Sequence, residues 1–425
     1  MSTMHVSPEK VLSKENIYLG DRSGGMLWAA LSFVGLALIG VAVIGALAGD
    51  VMAKSVALYA LHTGALIAMG FSIGAMVFVM LFRAVEAGWS ISVRRQFENV
   101  MSLWWVGALL IVGVVILQMV LTRTSEGGHD APYLWKWMNP AYTEGDTIYQ
   151  AKAAYLSPLF FYIRLVVYFA IWGGLATGLW YYSTQQDLDG DKRHSLHARN
   201  LAYVGMVVGA FSLLFASTDL VMSLDYHWFS TMLPVWFFAG CLGSGIALVV
   251  LTLIVLRSMG RLHVLFTSEH QHDLSKLVFG FAVCFWAYIA FSQYMLIWYA
   301  NIPEETAFFD IRKQPGTLWV IISWVLPIAH FILPFIFFLP RPIRRSSAGT
   351  AFVCVWLILV HIIDWWWMIR PNIHGSTGMH WIDVVGVAGP VLLFVGLLIR
   401  KVASGPLVPL RDPRMYEALE HKNYV

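Results

Sequence analysis

The sequence predicts an all-α membrane protein with about ten transmembrane helices. Three observations carry that prediction. Of 425 residues, 58% are hydrophobic and 12% charged, whereas soluble domains carry about a quarter charged residues. A soluble globule has no interior that hides so much apolar surface. Apolar runs of about 20 residues recur along the chain, the length that crosses roughly 30 Å of hydrocarbon at about 1.5 Å per helical residue. Lysine and arginine collect on alternate connections between these runs.

The spans, in order, cover residues 26–47, 56–82, 100–122, 159–182, 201–224, 233–256, 274–299, 318–339, 349–368 and 381–399. The first follows a polar stretch of both charge signs, not a short basic-then-apolar leader, so it is expected to stay in the mature protein. The second carries His62 and the small residues Gly70 and Gly74, and the fourth carries Gly174 and Gly178, which let neighbouring backbones approach. Between the third and fourth lies the longest connection, 123–158, whose Tyr133, Trp135, Trp137, Met138 and Tyr142 read as an aromatic belt at the membrane interface. The eighth contains Pro327 and Pro334. Each removes an intrahelical hydrogen bond, which predicts a bend around His330.

Basic side chains fix the orientation. Arg94-Arg95, Lys192-Arg193, Arg341, Arg344-Arg345 and Arg400-Lys401 fall on one side of the ten spans. The other side holds only Lys54, Arg123, Lys136, Lys152, Arg312, Lys313 and Arg370, with Arg164 near the end of a span. The richer side is expected to be cytoplasmic, with both termini there. The whole chain, 1–425, reads as a single polytopic domain in the bacterial inner membrane. Residues 1–25 form a cytoplasmic segment, 26–399 the ten-helix region and 400–425 a cytoplasmic tail.

Several classes of function are excluded. A net charge of +3 with cations placed by topology leaves no nucleic-acid footprint. Cys241, Cys284 and Cys354 lie alone within spans, which points to packing and not to disulfides or metal ligation. No CxxCH motif, phosphate-binding glycine loop or nucleophile elbow occurs. A bis-histidine haem between His62, His330 and His361 is not expected.

Ionisable groups inside spans are costly and face a bundle interior or cavity, so they are the functional pointers. His62, Asp219, His361 and Asp364 all fall in the outer half of their spans. His361 and Asp364, three apart, share a helix face within reach of one another. Asp225, His227, Glu304 and Glu305 lie just outside, and Ser217, Thr218, Ser292, Gln293 and Tyr294 at similar depth. Together they predict a polar chamber opening outward, whose imidazoles and carboxylates could pass protons. On the inner side Arg83, Glu86, Arg94, Arg95 and Glu98 read as a solvated, internally paired loop face, and Lys276 as a side chain reaching the surface. A route to the inner side would run through His330 towards Glu86 or Lys276.

The stretches 217–232, STDLVMSLDYHWFSTM, and 291–306, FSQYMLIWYANIPEET, with Trp89-Ser90 and Arg94-Arg95, make the chain resemble the ActF family of membrane subunits of bacterial alternative complex III. That family lies within the wider NrfD, or polysulfide-reductase membrane subunit, superfamily. The resemblance implies two four-helix bundles, spans 2–5 and 6–9, flanked by spans 1 and 10. It implies a subunit without redox centres of its own in a quinol-oxidising complex. Expected partners are a paralogous ActC-like membrane subunit, an iron-sulfur/molybdopterin-like subunit, multihaem and monohaem cytochrome c subunits and a terminal oxidase, with haem c and iron-sulfur centres on those partners. The only cofactor expected here is a non-covalent quinone such as menaquinone. His62, Asp219, Asp225, His227, His361 and Asp364 then become an outer-half proton pathway coupled to quinol oxidation. A quinol site within this chain, a structural anchor and a secondary transporter with paired broken helices are the alternatives.

Overall fold

The computed structural model describes residues 11–20, 25–123, 131–373 and 375–422. Among them are ten helices long and apolar enough to cross a membrane: α1 Gly25–Ala48, α2 Val51–Ala84, α3 Gly88–Arg123, α4 Pro158–Asp189, α5 Lys192–Leu224, α6 Leu233–Ser258, α7 Ser268–Ala300, α8 Leu318–Phe338, α9 Ser347–Asn372 and α10 Trp381–Ala403. Strands are absent from the described residues. The ten apolar runs read from the sequence each correspond to one of these helices, and the chain is a multi-pass membrane protein.

α2 and α6 are the centre. In their most apolar windows 89% and 83% of residues are buried, against 22% for α1, and a helix apolar on every side is stable only where it is enclosed on every side or lies in lipid. α2 packs against α3, α5, α6 and α10. α4 packs on α3 and α5, α6 on α7 and α9, α8 on α7 and α9, and α1 on α10. α1 turns Leu27, Phe33, Leu36 and Ile44 outward, where lipid replaces protein as the apolar surround.

The α2–α6 crossing depends on glycine. A Cβ on Gly74 would sit 1.9 Å from the Cys241 carbonyl oxygen, whereas one on Gly70 would meet Cys241 Sγ at 3.4 Å. Backbones that approach this closely gain dispersion contacts. Gly74→Ala is therefore expected to force the two central helices apart, at or above the roughly 1–3 kcal/mol typical of overpacking, while Gly70→Ala stays near wild type. The midpoints of thermal unfolding in detergent test the difference. In α4 the expected pair is only half correct: Gly178 abuts Leu201, but Gly174 faces open space and Gly173 meets Trp104 instead.

Two connections depart from their sequence reading. The mixed-charge stretch between the second and third spans is helical from Gly88, and every residue of Ile91–Met101 is buried. The C-terminal tail folds over it, with Gln96 Nε2 donating to the Leu407 carbonyl at 2.7 Å and Arg94 to Asp412 at 2.7 Å. Partners some 300 residues away cannot be read from local composition. On the opposite side Trp135 and Trp137 are fully enclosed, not set at an interface. Gln118 Oε1 on α3 accepts the backbone N–H groups of Leu134 and Trp135 at 2.8 and 3.2 Å, and both indoles pack on Phe161. The loop thus plugs the end of α2, α4 and α5.

The described N- and C-terminal segments share a face. Leu407 N–H donates to the Ile17 carbonyl at 2.8 Å and Leu262 N–H to the Asn16 carbonyl at 3.1 Å, which joins the N-terminal segment, the α6–α7 turn and the C-terminal tail.

Candidate functional site

π-helical winding interrupts two neighbouring helices, α7 at Val278–Phe285 and α8 at Pro327–Ile332. The bend expected in α8 takes this form. In π-winding the N–H that Pro334 lacks would have bonded the Ala329 carbonyl, and Trp356 Nε1 donates there instead at 2.8 Å. The α7 bulge carries no proline and leaves no comparable mark in the sequence.

Between the two bulges lies a small cavity lined by Gly240, Gly243 and Ser244 of α6, Ala282 and Trp286 of α7, His330 of α8, and Leu357 and His361 of α9. Its volume suits about one water molecule. The His330 ring stacks on Trp286 with centroids 3.7 Å apart, and its centroid lies 6.5 Å from that of His361. One turn along α9, Asp364 Oδ2 accepts the indole N–H groups of Trp286 at 2.9 Å and Trp236 at 3.3 Å. His361 and Asp364 share a face as expected, yet the carboxylate is held by two indoles and not by the imidazole. Gly240 makes the room: a Cβ there would lie 2.6 Å from the His361 ring.

Several polar atoms of this group lack partners. His330 Nδ1, His361 Nε2, Asp364 Oδ1 and Trp365 Nε1 are buried without a hydrogen-bond partner, and each of the four side chains is at most 3% exposed. An orphaned polar atom in an apolar interior costs about 1–3 kcal/mol. Two of these side chains, His330 and His361, line the cavity, where a small polar species, with water the simplest, would find unpartnered imidazole nitrogens nearby, and Asp364 lies one turn further along α9.

The other expected site residues belong to a second group, between α2, α4 and α5. Asp219 is wholly enclosed, with Arg164 Nε and Nη2 donating to its two oxygens at 2.7 and 2.8 Å and Tyr168 OH at 2.7 Å. Arg164 in turn lies over the rings of Tyr155 and Phe160 at 3.8 and 4.4 Å. Such a carboxylate is neutralised and held, in contrast to Asp364. His62 Nε2 contacts the Leu220 carbonyl at 2.7 Å, and its ring meets Trp135 edge-on, while Nδ1 has no partner. Because α2 starts at Val51, His62 lies eleven residues inside its helix, deeper than the sequence reading placed it.

Asp225 and His227 lie in the cap over the α5 end. The half-exposed His227 bonds Asp146 Oδ2 at 2.5 Å, and Tyr226 OH donates to the same oxygen at 2.9 Å. Against the cost of desolvation, hydrogen bonds from His227, the Tyr149 N–H and Tyr226 hold the Asp146 carboxyl at about 2. Asp225 Oδ1 accepts the His227 N–H at 3.2 Å.

The secondary candidates divide. Gln293 is buried and accepts from Ser230 at 2.5 Å, with its amide nitrogen free of partners. Ser217 and Thr218 bond back to the Leu214 carbonyl and Ser292 to that of Tyr288, within their own helices. Tyr294 and Glu304 are exposed and Glu305 half-buried. On the termini face Glu86 pairs with Arg199 and Arg414, and Lys276 with Asp273, both at the surface. A single chamber uniting all these residues is not what the fold builds. The sequence reading missed Trp286, Trp236, Arg164 and the buried Arg370–Asp383 pair at 2.7 Å. Of these only Arg164, Arg370 and Asp383, as charges near span ends, left a signal.

Cys241 and Cys354 are buried and Cys284 half-buried. Among the described residues no group of three or more His, Cys, Asp and Glu could hold a metal. Compared with known proteins, the chain matches no family model and no curated relative.

Proposed function

We propose that this chain handles protons within the bilayer, at His330, His361 and Asp364, as a membrane subunit of a quinol-oxidising complex of the alternative complex III type. The observation that carries the reading is the set of unpartnered atoms on these three buried, protonatable side chains, two of which, His330 and His361, line one water-sized cavity while Asp364 lies one turn further along α9. Protonation and deprotonation there need no rearrangement of the surrounding indoles, and a water in the cavity would bridge imidazole and imidazole. The helix contacts suit two four-helix groups, α2–α5 and α6–α9, joined through α2 and α6 with α1 and α10 outside, as the resemblance to ActF and the NrfD superfamily implies. The second group supports the first mechanically, with the Arg164–Asp219 pair closing the far end of α4 and α5.

In this reading the termini face is cytoplasmic and the membrane is the bacterial inner membrane. The electron carriers reside on partners: an ActC-like membrane subunit, an iron-sulfur/molybdopterin-like subunit and multihaem and monohaem cytochromes c. Quinone, menaquinone included, binds at or beside this subunit.

Gentle detergent purification through a tag on this chain tests the assignment. Co-purification of c-type cytochromes and iron-sulfur proteins, with a haem spectrum and quinol oxidation in the eluate, is the expected result. A lone, haem-free chain that moves a solute across vesicles would overturn it in favour of transport.

A further inference from the structure

A second cavity, of about 450 Å³, opens on the termini face between the ends of α2, α3 and α5 and the C-terminal tail. Volumes of this order hold small ligands. Five cations line it, Arg83, Arg94, Lys192, Arg199 and Arg414, against two carboxylates, Glu86 and Asp412. Both carboxylates are engaged. Asp412 takes Arg94 at 2.7 Å, and Glu86 takes Arg199 and, at 3.5 Å, Arg414. Arg414 is held further by Glu417 at 2.6 Å.

Arg83 is the exception. Its side chain is 5% exposed, and its nearest carboxylate oxygen, Glu98 Oε1 at 3.5 Å, is already bonded by Arg94 at 3.2 Å. Neither Nε nor Nη2 of Arg83 makes a hydrogen bond. A guanidinium in the wall of a cavity whose rim adds Lys192, with Nε unbonded and Nη2 facing only a carboxylate oxygen shared with Arg94, has room for an acceptor that the protein itself does not supply. Guanidinium forks match the oxygen geometry of phosphate, which accepts several such donors at once.

We propose that this cavity binds a phosphate-bearing anion, with Arg83 as the buried anchor and Lys192, Arg199 and Arg414 at the rim. Two sources share that chemistry: the headgroup of an anionic phospholipid, which the position at the helix ends would admit from the bilayer edge, and a free phosphate ester.

The full-length chain, purified in mild detergent, tests this by native mass spectrometry and by thermal unfolding after delipidation. Arg83→Gln removes the anchor. Lys192→Gln and Arg199→Gln alter only the rim, where folding is not at stake. Retention of phosphatidylglycerol or cardiolipin by the wild-type chain, about tenfold weaker in the variants, as expected for one lost charge-assisted contact, assigns the lipid source. Absence of retained lipid, with inorganic phosphate or glycerol 3-phosphate raising the wild-type midpoint and raising that of the variants less, assigns the free ester. If neither lipid nor phosphate distinguishes the wild type from the rim variants, the proposal is overturned and the cations serve only their internal ion pairs.

Discussion

Arg164→Met is expected to destabilise the chain by about 3–5 kcal/mol, the cost of leaving one member of a buried ion pair without the other. Asp219 has no second cation in its hydrogen-bond set. Both its oxygens are filled by Arg164, and Tyr168 adds a third donor. Removing the guanidinium leaves a carboxylate in an apolar interior, along with Tyr155 and Phe160 stripped of the cation over their rings. The paired change Arg164→Met with Asp219→Leu removes both charges, and most of the loss should return, because two buried charges replaced together by apolar side chains are often neutral. Midpoints of unfolding by sodium dodecyl sulfate measure both. Should Arg164→Met unfold at the wild-type midpoint, Asp219 is not held by this pair.

The prediction also shows what the sequence could and could not convey. Ten helices were legible because each span must satisfy its own backbone in lipid and therefore writes a continuous apolar run. The ionisable residues within the spans were legible for the same reason, since only a specific partner or task keeps them there. Which of them act together was not. Asp219 and Asp364 look alike as isolated carboxylates near the same depth, and the difference lies in Arg164 on one side and two indoles on the other. Trp236 and Trp286 could not be told from lipid-facing or core tryptophans by spacing. Trp135 and Trp137 show the same limit in reverse, because enclosure under Gln118 depends on a loop closure that hydropathy does not register. The stretch Ile91–Met101 failed for a related reason: its cover is the tail at Leu407 and Asp412, and charge composition alone suggested solvent.

Asp364→Asn should leave the fold intact and abolish coupled proton handling. The amide oxygen can take the place of Oδ2 and accept both indole N–H groups, so the contacts at 2.9 and 3.3 Å survive. The amide nitrogen then occupies the position of Oδ1, which has no partner to lose, although its own donors go unmet there at a cost of about 1–3 kcal/mol. What disappears is the one carboxyl of the group that can take and release a proton. Loss of a positioned acid–base group typically costs about 10²–10⁴-fold in rate, and a fall of about a hundredfold in quinol turnover with matching loss of proton release is expected in the purified complex. His330→Phe keeps the stack on Trp286 but deletes Nδ1, and should reproduce the defect. The division between kcat and KM separates the remaining roles: a fall in kcat at constant KM marks proton transfer, whereas a rise in KM marks a quinol bound beside His330 and His361. Turnover and proton release unchanged in both variants would reduce the cluster to packing, and the four unpartnered atoms would then stand as a stability cost with no functional return.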